Sequence, residues 1–253
     1  MSRFKKILIA DIYPTDDWRL VKDTAGGYGT GNNFGETLFS KILNSFVGSM
    51  ISMPAMSSAY VWSILKNQGH SVEYLRFTNK KLPDIEKYDY VILPSSIVAH
   101  ESEVNFAKFA STKGVKTIVT GIFANVEYKK YDLPNTLIVK GEPENFFLKI
   151  DLLNFDFHNY KSDLDYKFDN PLVENLDDLP YPSWDEYVKK YPLKNNFLAC
   201  NSKIAIPILA TRGCPYSCFN YCTYPLQQGR KVRFRDPKKL VDEIEYWIKK
   251  LRT

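Results

Sequence analysis

The sequence predicts an α/β protein in which a parallel sheet precedes a short β-loop-α unit, and three observations carry that reading. Compact apolar runs alternate with helix-like segments through the first 150 residues, the alternation that gives a parallel sheet covered on both faces. The pattern lapses over residues 151–203, where Asn, Asp, Tyr and Pro accumulate. It resumes over residues 204–253 with one apolar run, a loop holding three of the four cysteines, and one amphipathic helix.

Ile7-Leu8-Ile9-Ala10 has the length of a buried strand and stops at Asp11. Ala55 to Asn67 reads as a helix closed by Gly69. Ser71 to Phe77 alternates as a strand does, and Tyr90 to Pro94 supplies a third strand. Glu101 to Thr112 is a second helix with Gly114 past its end, and Lys116 to Gly121 and Thr136 to Gly141 are the fourth and fifth strands. Ligands of such sheets sit beyond the C-terminal ends of the strands. That directs attention to Asp11 to Pro14, Pro94 to Ser96, Gly121 to Phe123 and Gly141 to Glu144. Singly these are turn residues; together they mark the expected cofactor or partner edge. The glycine-rich residues 25–31 are read as a loop, because they fit neither G-x-G-x-x-G nor a phosphate loop.

Pro180 and Pro182 break regular structure, so residues 151–203 are expected as an extended connector. His70, His100 and His158 have no ligand partner near them in sequence and are read as surface or interface residues. Ile204 to Ala210 is strand-like, with Pro207 pointing to an edge or a bulge. Asp236-Pro237 opens the last helix as N-cap and first helical residue. Its apolar stripe is Leu240, Val241, Ile244, Trp247, Ile248 and Leu251.

At 253 residues, 44% hydrophobic and 25% charged, the chain can bury a sizeable core. The net charge of +5 is spread thinly. The one dense basic stretch, Arg230 to Arg235, is short and is read as a solvated or anion-facing loop, so no nucleic-acid partner is expected. The N-terminal apolar run is too short for a signal peptide. Ser45 to Leu65 carries no charge, but Pro54, Gly48 and six serines favour a loop and a core helix over a membrane span. The expectation is a cytoplasmic protein without a membrane partner.

The chemistry lies in Cys214, Cys218 and Cys222, all within nine residues. Three thiolates on one loop can converge on one iron–sulfur cluster. A 4Fe–4S cluster held by three cysteines keeps one iron open for a substrate or cofactor. Zinc would need a fourth ligand; no histidine is close, although Cys200 could supply one. Spacing favours the cluster and leaves two alternatives: a non-catalytic module with structural zinc, and an electron-transfer cluster held by all four cysteines.

The passage from Thr211 to Thr223 resembles the signature of the radical S-adenosylmethionine superfamily, in which a Cx3Cx2C loop follows the first strand of a partial β/α barrel. The Arg212-Gly213-Cys214-Pro215 start, the aromatics Phe219 and Tyr221, the Arg233-x-Arg235 stretch and the Asp242-Glu243-Ile244 helix are similar to the subgroup with an N-terminal cobalamin-binding domain. So are Val139 to Glu144 and Leu179 to Pro182. The resemblance implies a Rossmann-like cobalamin-binding-type domain over 1–150, the connector over 151–203, and the start of the radical barrel over 204–253. It implies that Cys214, Cys218 and Cys222 ligate a 4Fe–4S cluster whose open iron chelates S-adenosylmethionine. Reductive cleavage would then release a 5′-deoxyadenosyl radical. Tyr221 matches the aromatic whose neighbourhood contacts adenine. An electron donor such as a flavodoxin or ferredoxin and a small-molecule or macromolecular substrate are implied, with cobalamin as a further candidate cofactor.

Three departures accompany it. The spacing is Cx3Cx3C, an extra residue that is either absorbed as a bulge or impairs the cluster. The Asp-x-His-x-x-Gly motif is missing, with Pro14 following Asp11 where a histidine would be close. A complete barrel takes about 250 residues, so residues 204–253 supply one strand, one loop and one helix of it. The chain is therefore read as the N-terminal part of such an enzyme.

Overall fold

The computed structural model describes residues 4–14, 20–22, 30–31, 35, 37–43, 55–159, 172–191, 206–216, 218 and 222–251. Strand β1 is Lys6–Tyr13; β2 (Leu20–Val21) and β3 (Thr30–Gly31) form a small antiparallel ladder beside it in sequence. Strands β4 (Ser71–Thr78), β5 (Tyr90–Pro94), β6 (Thr117–Thr120) and β7 (Thr136–Ile138) join β1 in a five-stranded sheet. All neighbours are parallel, in the order β4-β1-β5-β6-β7. This is the doubly wound order whose connections diverge between β1 and β5. The expected α/β class and Rossmann-like sheet are what the chain forms.

Both faces of the sheet are covered. Ile7 and Ile9 of β1 enter one core, while Leu8, Ala10 and Ile12 enter the other. That two-sided burial is why the strand reads as an unbroken apolar run. Helices α1 (Met56–Asn67) and α4 (Pro143–Lys149) cover the Ile7 face. Helices α2 (His100–Thr112) and α3 (Ile122–Val126) cover the Leu8 face. Gly69 and Gly114 end α1 and α2 in the left-handed region, as helix-terminating glycines do.

The expected extended connector is different where it is described. Residues 172–191 contain a 3₁₀ turn at Leu176–Asp178 and helix α5 (Trp184–Lys190). Val173, Leu176, Leu179, Trp184 and Tyr187 pack into the Ile7-face core. The two prolines do cut the segment into short pieces, but each piece carries an apolar anchor that the sheet face can bury.

The last segment holds β8 (Thr211–Arg212), α6 (Tyr224–Gln228), β9 (Arg233–Phe234) and α7 (Pro237–Leu251). Asp236 caps α7 as expected, its Oδ1 accepting from the Lys238 and Lys239 amides at 2.9 and 3.1 Å. The apolar stripe of α7 does not pack as one face. Trp247 is buried in the Ile7-face core and Glu243 turns inward to Arg235, while Val241, Ile244 and Ile248 stay exposed. The ion pair and the indole set the roll of the helix. Residues 206–210, expected as a strand, join no ladder among the described residues; Ala210 O accepts one bond, from the Arg235 amide at 3.0 Å. No helix among the described residues is long and apolar enough to cross a membrane.

His70, read as a surface or interface residue, is buried within the chain. It is 5% exposed, and its Nδ1 accepts from the Lys5 amide at 3.4 Å. Burial pulls its imidazole below the ordinary value. The unfolded chain therefore binds this proton first, and stability falls as pH drops through about 6.5. Between about pH 7 and about pH 5.5 the urea midpoint should drop further for the native chain than for His70→Gln; equal drops would contradict this assignment. His100 stacks on Phe123 with ring centroids 4.4 Å apart and bonds Ile97 O through Nδ1 at 2.6 Å. His158 is exposed.

Candidate functional site

The cysteine loop leaves β8 and returns through α6 to β9. The two short strands pair antiparallel, Thr211 with Phe234 and Arg212 with Arg233, and so close the loop at its base. Gly213 makes the exit possible. Its φ is +108°, a region L side chains avoid, and a Cβ there would lie 2.2 Å from the Lys231 carbonyl oxygen. The Cys214 amide then donates to Gly229 O at 3.1 Å, tying the first cysteine to the end of α6.

Cys214, Cys218 and Cys222 are free thiols, each half-buried. The Cys222 amide donates to Cys218 O at 3.0 Å, an i to i+4 bond. The three thiols do not converge: among the described residues no group of three Cys, His, Asp or Glu side chains is arranged to hold a metal ion. As a donor set they suit an iron–sulfur cluster, being three unpaired thiols on one pinned loop that solvent reaches. Cys200 and Tyr221 lie outside the described residues, as does the glycine-rich loop apart from Thr30 and Gly31.

Of the two readings of the basic stretch, solvated or anion-facing, its buried arginines take the second, the anions being the chain's own carboxylates. Arg230 and Lys231 are exposed, but Arg233 and Arg235 are only 7% and 6% exposed and point inward at carboxylates. Arg233 makes a bidentate pair with Glu142, both bonds 2.8 Å, and also donates to Val173 O and Gln228 O. Arg212 donates to Glu144 Oε1 at 2.7 Å. Arg235 pairs with Glu243 and approaches Asp177 at 3.5 Å. Burial opposes the charge on Arg212, but Glu144 and Glu142 outweigh it and hold the guanidinium firmly protonated. Gln227, on α6, donates to Gly141 O and accepts from Asn125 of α3. The segment from Gly141 to Glu144, part of the expected ligand edge, is therefore where the cysteine loop docks.

The other part of that edge is filled by side chains. Lys22, which follows β2, has a side chain only 2% exposed and lies between Asp11 Oδ1 at 3.0 Å and Glu103 Oε1 at 2.7 Å. Tyr74 donates to Asp11 Oδ2 at 2.5 Å, and the Ser96 amide and hydroxyl donate to Glu103 at 2.8 and 2.9 Å. Burial works against ionisation of Asp11, yet Lys22 and Arg76 bring its carboxyl below the usual range. For Glu103 burial prevails over Lys22 and Ser96, and the carboxyl is pushed up. These pairs occupy the crevice between β1 and β5, where open sheets of this order take a ligand. Pro14, exposed at the end of β1, offers no imidazole. Cobalamin, which the resemblance names as a candidate, would find no histidine ligand at the end of β1.

No protein-family model matches the chain. Over 83 residues it is 37% identical to the anaerobic magnesium-protoporphyrin IX monomethyl ester cyclase of Rubrivivax gelatinosus, a match covering 31% of this chain and 13% of that protein. Over 164 residues it is 26% identical to the bacteriochlorophyllide d C-12(1)-methyltransferase of Chlorobaculum tepidum, covering 64% of this chain and 33% of the relative. Over 160 residues it is 26% identical to the C-8(2)-methyltransferase of the same organism, covering 62% and 33%. The chain is distantly similar to enzymes and spans at most about a third of the length of these relatives.

Proposed function

We propose that this chain is a radical S-adenosylmethionine enzyme or the cluster-bearing part of one. Residues 1–150 form its Rossmann-like domain, 151–203 its connector and 204–253 the start of its barrel. Cys214, Cys218 and Cys222 ligate a 4Fe–4S cluster, and Tyr221 lies by the adenine of the bound cofactor. When bound and reduced by a flavodoxin- or ferredoxin-type donor, the cluster supplies the electron that cleaves S-adenosylmethionine. The chain's own residues hold the thiols: Gly213 turns the backbone out of β8, the Cys214 amide is fixed on Gly229, and the Cys222 amide is tied to Cys218 O. Its reaction would be methyl transfer or cyclisation on a substrate of the porphyrin or chlorophyllide kind, a reading supported by the likeness to a cyclase and to methyltransferases.

The observation that carries this reading is the loop itself: three free cysteines and no disulfide, on a backbone tied at its base by a strand pair and buried arginines. Reconstitution with iron and sulfide under anaerobic conditions tests it. A full 4Fe–4S complement retained through gel filtration supports the cluster. One equivalent of zinc with no uptake of iron would replace it with a structural metal module.

A further inference from the structure

Two carboxylates at the C-terminal edge of the sheet, Glu142 and Glu144, follow β7 and are buried. A solvated loop would leave such groups facing water. Instead each meets an arginine at the base of the cysteine loop: Glu144 meets Arg212, two residues before Cys214, and Glu142 meets Arg233, the β9 residue paired with Arg212. The two arginines are cross-strand neighbours, so two like charges stand side by side and need the two carboxylates opposite. Glu142 also accepts from the Val173 amide at 2.7 Å, which draws the connector into the same cluster. The match is not saturated: Glu144 Oε2 and Arg233 Nε are buried without a hydrogen-bond partner among the described residues. Buried pairs of this kind add little net stability over apolar packing, but they fix register where a ladder of two residue pairs cannot.

We propose that Glu142 and Glu144 are positioning residues for the cysteine loop, holding closed, through Arg233 and Arg212, the strand pair from which Cys214 leaves. The sheet domain then acts as a clamp on the loop. Its consequence for the cluster rests on the cluster reading above; the clamp itself does not.

Hydrogen exchange on the whole chain tests it, with Glu144→Gln against the native sequence. Amides of residues 211–214 and 229–235 should exchange about tenfold faster or more in the variant, while those of β1 and β5 stay unchanged. After reconstitution the variant should lose its iron several-fold faster, with Glu144→Asp recovering part of the retention. If Glu144→Gln does not fold by circular dichroism, Arg212→Lys, which keeps the charge and loses the planar fork, takes its place. Unchanged exchange at the loop, or equal acceleration in β1 and β5, would overturn the clamp. Loop-confined acceleration in a native chain that takes up no iron would leave the clamp standing and remove the cluster reading.

Discussion

Cys214→Ala, Cys218→Ala and Cys222→Ala should each reduce iron retained after anaerobic reconstitution to background, whereas Cys200→Ala should leave it intact. The first half follows from the donor set. No histidine or carboxylate among the described residues joins the three thiols in a metal-binding group, so a missing thiolate has no substitute. The second half follows from the open iron: a cluster made for cofactor binding uses three protein ligands and does not call on a fourth. Loss of iron in Cys200→Ala would convert the site to a closed, four-cysteine electron-transfer cluster. Full iron in Cys218→Ala would remove Cys218 from the ligand set. Iron and acid-labile sulfide per chain decide between these.

Gly213→Ala should nearly match the cysteine variants, although it removes no ligand. At φ +108° an alanine is strained by about 1–3 kcal/mol. Its Cβ would also stand 2.2 Å from Lys231 O and 2.9 Å from Lys231 C, which are backbone atoms that cannot step aside. The substitution therefore separates β8 from β9 and opens the base of the loop. Gly229→Ala is the control. It too has positive φ, +74°, but its Cβ would meet chiefly the tip of the Leu172 side chain, which can rotate away. Iron retention should fall to near background in Gly213→Ala and only partly in Gly229→Ala. The urea midpoint of the sheet, followed by far-ultraviolet circular dichroism, should move little in either. Equal iron loss in the two variants would contradict a special role for Gly213.

What the sequence disclosed and what it hid divide along a physical line. Strand and helix periodicity is local, so Ile7 to Ala10, Tyr90 to Pro94, helix α1 and the Asp236-Pro237 cap could be read directly. The cysteine spacing is local as well. The clamp was hidden because its partners are far apart in sequence: Arg233 lies 91 residues from Glu142 and Arg212 lies 68 from Glu144. A dense run of arginines reads as solvated or anion-facing, and which anions it faces stays open until the acceptors are known. Lys22 was missed for the same reason, since nothing near it in sequence marks it for burial between Asp11 and Glu103. The extra residue between Cys218 and Cys222 was visible, but the backbone bond from the Cys222 amide to Cys218 O is not specified by spacing. The stripe on α7 was legible as a pattern, while its roll was fixed by Arg235 and Trp247 packing against other elements.

The proposed function stands or falls with an iron–sulfur cluster that keeps one iron open to S-adenosylmethionine. Its most direct test is the electron paramagnetic resonance spectrum of the reconstituted, reduced chain, recorded with and without S-adenosylmethionine. A cluster held by three cysteines should give a reduced 4Fe–4S signal whose g-values shift when the cofactor is added. A cluster signal that ignores the cofactor, or no cluster signal at all, would contradict it.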